Sequence, residues 1–507
     1  MTLEQVLELA QTRSEAIAIA RTGVQRAEGE QVRARSGRLP QLSASASYDR
    51  ALASEFSNVF GSDAGGPSCP PFTLNPSAPL NERVAEIERA IDCGAVGSSF
   101  FGGGATDDED VDLPFGRENT WRVNLLFSQA VYSGGRLGAQ TDIAAAGRQS
   151  AELALTAARA QLLFDVTEAF YDAALSDRLV QIAEATVAQA DATVGQVQAG
   201  FEAGAQPEFE LLRARVTRDN QRPAVIRQQA NRDIAILRLK QLLDLPAEYD
   251  LRLVAPLDGP VPPPAPFARR LAAFEAEAAA QAGAAARNAV REVAAVVDLR
   301  EASLRAARAE RRPSVSVTSN YSRVAYPSGF FPTGDFRTNW TVGAAVELPI
   351  LTGGRQRGSE LVARAELEQS RLELQQVREL AQLDTRSAEA ELVAAHAALD
   401  ASAGTIEQAT RAYQIAEVRY QSGVSTQLEL SDARLLLQQA EANRAQAARD
   451  LQVARARIAL LPDLPIGATS GIAGPQTPAA PAPSAQPDAQ LRNAAAAQAG
   501  RPGGGSQ

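Results

Sequence analysis

The stretches "WRVNLLFSQAVYSGGR" (121–136) and "WTVGAAVELPILTGGR" (340–355) lie 219 residues apart and follow one pattern. Each opens on Trp and alternates apolar with polar residues. Each then passes through Ser/Thr-Gly-Gly-Arg into a long run of helix formers. Alternation predicts a strand with one greasy face, and the paired glycines permit a sharp change of direction before a helix.

At that offset, residues 121–246 pair with 340–465 without a gap. Gly204 meets Gly423, Glu210-Leu211 meets Glu429-Leu430, and Asp244-Leu245-Pro246 meets Asp463-Leu464-Pro465. The chain is a tandem repeat. Upstream, "RLPQLSASASYDR" (38–50) matches "RRPSVSVTSNYSR" (311–323) at an offset of 273, so the first half carries 54 extra residues (273 minus 219). The expected organisation is a first repeat over 1–254, with strands near 40–51 and 119–132 and a long exposed loop over 52–118. A Pro-rich linker over 255–266 leads to a second repeat over 267–465, with strands near 313–324 and 338–350. A Pro/Ala/Gly-rich tail over 466–507 has the composition of a disordered segment.

In the first strands Leu42, Ala44, Ala46 and Tyr48 alternate with serines, and Trp121, Val123, Leu125 and Phe127 oppose Arg122, Asn124 and Ser128. In the second repeat Val315, Val317 and Tyr321 share one side, as do Trp340, Val342, Ala344, Val346 and Leu348. Four such strands in a soluble sheet would need a partner layer, and no segment nearby supplies one. A membrane barrel wants this pattern, with aromatics such as Tyr48, Trp121, Tyr321 and Trp340 as its interfacial girdle. Four strands cannot close a barrel, so several chains would have to contribute.

The Pro-free runs from Gly135 to about Gln198 and from Gly354 to about Gln421 predict helices of roughly 95 Å. Gly404 is the one evident soft spot in the second run. Leu155, Leu162, Val166 and Phe170, like Leu367, Leu374, Leu380 and Leu383, recur at coiled-coil-like intervals and read as packing seams.

The totals agree with a helical, non-enzymatic protein. Among 507 residues there are 5% aromatics, one Met and one His, and the net charge is −10. That balance offers no basic stripe for nucleic acid. His396 sits in "ELVAAHAALD" without a nucleophile or carboxylate constellation, and no metal-ligand spacing appears. "FFGGGATDDED" lacks the Lys-Ser/Thr ending of a phosphate loop. No catalytic residue, metal or cofactor is expected. No run of 18 or more apolar residues occurs, hence no transmembrane helix is predicted. "TLEQVLELA" already reads as an amphipathic helix, so a signal segment is expected to lie upstream or to have been removed. Without a cysteine near the start to carry a lipid, the barrel alone is expected to hold the membrane. Cys69 and Cys93 both fall in the extra segment; a disulfide is expected in an oxidising compartment, two free thiols otherwise.

In the order and spacing of these marks the chain resembles the TolC-like outer-membrane efflux proteins over roughly residues 2–465, the insert excluded. The marks are "TLEQVLELA", the two strand openings, the Gly134-Gly135 and Gly353-Gly354 junctions, and the tips "GFEAGAQPEFELLRAR" and "YQSGVSTQLELSDAR". The resemblance implies a mainly α protein with a membrane β-barrel. Its tandem-repeat protomer would give four strands, and a homotrimer would form a 12-stranded barrel continuous with a long α-helical periplasmic tunnel. It implies residence in the outer membrane of a Gram-negative bacterium, in outer-membrane lipid. The partners it implies are a periplasmic adaptor (membrane fusion) protein and an inner-membrane pump of the RND, ABC or MFS type. The work would be passive conduction in a tripartite efflux or type I secretion system.

Carried over residue by residue, the family's gate carboxylates fall on Glu429 and Asp432, with Glu replacing the usual Asp at the first. Its latch tyrosine and acid fall on Tyr420 and Glu210, and a further latch acid on Glu417, whose glutamine partner is here Thr193. Another latch arginine falls on Ala448, beside Arg449, and its threonine partner on Phe209. Gly204 and Gly423 match the tips where adaptors dock. The alternative is a soluble periplasmic coiled-coil adaptor or structural rod, which would share the helices but need no amphipathic strands.

Overall fold

The computed structural model describes residues 1–53, 70, 72–92, 118–255, 257, 267–272, 287–327, 329–332, 334 and 336–467. Contacts divide the chain into two units. One comprises Met1–Arg35, Gly135–Glu310 and the residues from Leu351; the other comprises Ser36–Gly134 and Arg311–Ile350.

The first unit is helical. It holds α1 (Leu3–Arg13), the bulk of α2 (Glu15–Ser36), α4 (Arg136–Glu202), α5 (Glu208–Leu242), α6 (Asn288–Ala309), α7 (Arg355–Gln421) and α8 (Gln427–Leu460). Thr2 caps α1 in a capping box with Gln5, each side chain taking the other's backbone N–H. The helix then buries Leu3, Val6, Leu7 and Ala10, one face at intervals of three and four, in a core with Phe164, Val166, Phe170, Leu239 and Leu460. Helices α4 and α7 are each 67 residues long, about 100 Å at the α-helical rise. Helix α7 runs through Gly404 without a break, since one glycine costs only about 1 kcal/mol against alanine. Helix α5 likewise continues through Pro223. No described helix is long and apolar enough to cross a membrane.

A buried charge cluster ties this unit together. Arg287, the residue just before α6, donates to Asp384 of α7 (2.6 Å), to the Ala381 carbonyl (3.3 Å) and to the Leu464 carbonyl (3.4 Å). Arg457 of α8 donates to the other Asp384 oxygen (2.9 Å) and to Glu391. All three central residues are buried, Arg287 most completely at 1% exposure. Burial pushes the Arg287 guanidinium below its ordinary value, against the pull of Asp384.

The second unit is built on one antiparallel meander, β1 (Gln41–Arg50), β2 (Asn119–Tyr132), β3 (Ser314–Ala325) and β4 (Arg337–Glu347), in that spatial order. Tyr48 stands opposite Trp121, Leu125 opposite Tyr321, and Tyr321 opposite Trp340. Opposed residues share a face. The register therefore gathers Leu42, Ala44 and Ala46 with Val123, Leu125 and Phe127, and with Val317, Val342, Ala344 and Val346, on a single apolar face. A bulge at Val131 shifts the β2–β3 register by one residue. Beyond the Tyr48–Trp121 end, the apolar face is uncovered by the described residues: Leu42 is 71% exposed and Val342 69%.

Two expectations need correction. The last strand stops at Glu347 rather than near 350, because Pro349 has no N–H to continue a ladder. The insert, read as loop over 52–118, contains α3 (Leu80–Asp92). Its Leu80, Val84, Ile87 and Ile91 recur at helical intervals, and Glu86 pairs with Arg89 one turn on. Cys69 and Cys93, most of the 255–266 linker and the tail from residue 468 lie outside the described residues.

Replacing Asp384 by Ala strands two buried guanidinium groups. It is expected to lower unfolding stability by about 3–5 kcal/mol, read as a lowered midpoint in chemical denaturation.

Candidate functional site

Two places carry the predicted residues: the helix turns of the first unit and the aromatic rows of the sheet. The turns are near-copies. Helix α4 ends at Gly204 (φ 73°) with the Ala205 N–H bonded back to the Gly200 carbonyl (2.8 Å). Helix α7 ends at Gly423 (φ 71°) with the Val424 N–H bonded to the Arg419 carbonyl (2.9 Å). Each is a left-handed glycine stop with the same five-residue return bond. The Gly-Gly junctions repeat too: Gly134 and Gly135 have φ of 64° and 96°, Gly353 and Gly354 of 57° and 86°. A side chain at any of these positions would be strained.

Beyond the turns the two repeats differ in chemistry. Thr426 caps α8 by accepting the Glu429 N–H (3.4 Å), while at the matching position before α5 stands Pro207. Glu429 is exposed in the first turn of α8, where the helix dipole favours a carboxylate, and approaches Arg419 at 3.6 Å. Both partners of that pair are about half exposed, so it is weak. Asp432 is exposed and makes no ion pair among the described residues. Glu417, partly exposed, also makes none there.

Tyr420 and Glu210 are neighbours. Burial, and secondarily the Glu210 charge, push the Tyr420 phenol above its ordinary value. No hydrogen bond joins these two among the described residues; Glu210 instead receives Gln427, the first residue of α8. With its amide oriented to satisfy both ends, Gln427 donates to Glu210 (3.0 Å) and accepts from the Ala214 N–H (3.3 Å). Gln427 is buried, so this is a tie between the two repeats.

A second such tie was not foreseen. Arg434 of α8 donates to the Thr193 hydroxyl (2.9 Å) and the Gln189 carbonyl (3.4 Å) of α4. Both Arg434 and Thr193 are buried, and the Arg434 Nε has no partner among the described residues. The signal was in the sequence: Arg434 falls in the spacing Leu430, Ala433, Leu437, Ala440, the buried face of α8. Its repeat counterpart, Arg215, is exposed and among the described residues reaches the half-buried Gln198 at 3.5 Å. Farther along, Arg449 bridges Asp172 (2.6 Å) and Glu168 (3.1 Å) of α4, while Ala448 beside it is packed in the core. Phe209 is exposed and Thr193 serves Arg434.

In the sheet, the Tyr48 and Trp121 rings lie 5.0 Å apart, and Phe330 from the β3–β4 loop packs edge-on against both. Trp121 Nε1 donates to the Phe330 carbonyl (2.8 Å), and Trp340 Nε1 to Ser319 Oγ (2.9 Å). His396 lies exposed on α7 beside Asp400, one turn on. No group of metal-ligating side chains occurs among the described residues.

Thr193→Val would leave the buried Arg434 without its side-chain acceptor. The expected cost is about 1–3 kcal/mol, seen as faster proteolytic nicking at the turns around 204 and 423.

The family model for outer membrane efflux proteins matches residues 99–244 and 279–461, well over half the chain. No curated protein matches the sequence. Solved structures match the fold along nearly the whole chain. The outer membrane protein VceC from Vibrio cholerae is 16% identical with a TM-score of 0.65, covering 90% of this chain and 95% of its own. The Campylobacter jejuni CmeC outer membrane channel is 16% identical with a TM-score of 0.65, covering 92% and 86%. The open-state Neisseria gonorrhoeae MtrE outer membrane channel is 19% identical with a TM-score of 0.64, covering 91% and 89%. The duplicated strands, the Gly-Gly junctions, the twin helix turns and the match of the family model lead to one assignment: this chain belongs to the outer membrane efflux protein family.

Proposed function

We propose that the protein is the exit duct of a tripartite efflux or type I secretion system, a passive conduit gated at the α4–α5 and α7–α8 turns. The observation that carries this reading is the sheet. Its apolar face is bare, and its outer strands β1 and β4 each keep one unpaired edge. In lipid an open edge leaves backbone N–H and C=O groups without partners, and closure by further copies removes it. Three copies of a four-stranded sheet make twelve strands, an ordinary number for an outer-membrane barrel.

The helices support assembly as well. Leu361, Leu372 and Leu383 of α7 are 55, 60 and 53% exposed at even spacing along one stripe. An eleven-residue repeat of this kind suits packing against another helix with a right-handed twist. We take that helix to belong to a neighbouring copy, the whole forming a periplasmic tunnel. An adaptor would meet the turns at Gly204 and Gly423, with an inner-membrane pump beyond it.

At the closed end, Glu429 and Asp432 would form the constriction. Three copies bring six carboxylates toward one axis, a potential that attracts cations and holds the closed state poised. The cross-repeat ties, Gln427 to Glu210 and Arg434 to Thr193, would have to part or slide when the tips open.

Single-channel conductance of the detergent-purified protein in a planar bilayer tests this. The native channel is expected to conduct weakly with a preference for cations. Glu429→Gln/Asp432→Asn is expected to lose that preference or conduct more. Unchanged selectivity would move the constriction elsewhere. A protein soluble without detergent that forms no channel would leave the helical rod.

A further inference from the structure

The apolar face of the sheet carries two charged residues, and the register puts them in equivalent places. Arg50 and Arg323 each follow a girdle tyrosine, Tyr48 or Tyr321, by two residues, and each therefore shares that tyrosine's face. They are counterparts in the two repeats, at the offset of 273 that aligns the strands. Both lie toward the sheet end that is remote from the Gly-Gly junctions.

Their surroundings differ. Arg50 has a carboxylate, Glu118, at 3.3 Å. Arg323 is exposed and makes no ion pair among the described residues; its guanidinium lies 5.1 Å over the Phe336 ring. Across the ladder it faces Val123 and Thr338, and its diagonal neighbours on the same face are Trp121 and Trp340. A cation is thus set between two tryptophans on a surface otherwise built for hydrocarbon.

An arginine on a lipid-facing strand is costly at the bilayer midplane and nearly free at the interface. Tryptophans mark that interface, where headgroups lie. The planar guanidinium matches phosphate with two parallel hydrogen bonds, and stacking on Phe336 restrains it. We propose that Arg323, backed by Phe336 and flanked by Trp121 and Trp340, is a docking site for the phosphate of an anionic lipid headgroup, with acyl chains lying along Val123 and Leu125. The site rests on the outer-membrane reading, since it needs the apolar face to be in lipid.

Native mass spectrometry of the detergent-purified protein, incubated with phosphatidylglycerol and phosphatidylcholine of identical acyl chains, tests it. The wild type should retain phosphatidylglycerol preferentially. Arg323→Gln should reduce that preference about fivefold, the weight of one interfacial arginine. Arg323→Lys, which keeps the charge but not the planar fork, should fall between the two, and an unchanged oligomer mass for the Gln variant in the same spectra shows that its loss is not misfolding. Arg50→Gln should leave it intact, because Glu118 already occupies that arginine. Equal retention by Arg323→Gln and wild type would overturn the site, as would an equal loss in Arg50→Gln. Displacement of the lipid by inorganic phosphate at matched concentration would make it a free-anion site and overturn the lipid assignment. A wild type that needs detergent but shows no headgroup preference sinks this inference alone. A wild type soluble without detergent and binding neither lipid sinks the membrane reading with it.

Discussion

An antiparallel sheet with one apolar face and two open edges is left unfinished by the described residues of its own chain. In water the bare face, with Leu42, Trp340, Val342 and Val346 all about 70% exposed, would be a large uncovered patch. In lipid the face is satisfied, but the outward backbone groups of β1 and β4 are not. Under the membrane reading proposed above, further strands from further copies would meet both demands. The aromatics near the strand ends, the glycine junctions that turn the chain into helices, and the lack of a covering layer among the described residues are consistent with that one requirement.

The helical unit solves a different problem. Two helices of 67 residues present far more length than width, and alanine is the residue they bury most often, so many turns contribute only a small apolar contact. What distinguishes one alignment of these rods from a neighbouring slip is the set of buried polar ties. Arg287, Asp384 and Arg457 join three helices near the chain's return, and Arg434 joins α8 to α4 near the turns. Such groups add little net stability compared with well-packed hydrocarbon, but each is costly to misplace. They therefore act on register more than on the depth of the fold.

The duplication has kept backbone geometry and changed side-chain chemistry. The turn glycines and their return bonds are almost superimposable in their angles and distances. Yet Arg434 is buried in a clasp while its counterpart Arg215 is exposed, and among the described residues Arg323 has no carboxylate such as Arg50 holds. Glu210 accepts a buried glutamine, whereas its counterpart Glu429 stands exposed beside a threonine cap. A single protomer with two unlike halves can assign holding contacts to one turn and exposed charge to the other.

Local pattern alone made the strands, the long helices, the junction glycines and the twin turns legible, because period-two alternation, Pro-free runs and obligatory left-handed residues are properties of adjacent residues. The tip carboxylates Glu429 and Asp432 came from the family resemblance and not from local pattern. That pattern missed α3, whose apolar residues sit in a composition otherwise typical of loops, and ran β4 past Pro349. It did not find the partner of Arg434 or the substitution of Gln427 for Tyr420 at Glu210. Those pairings join residues more than 200 positions apart, and which donor reaches which acceptor depends on how four helices are turned about their axes. Periodicity names the buried face of one helix. Only the packed structure decides what that face meets.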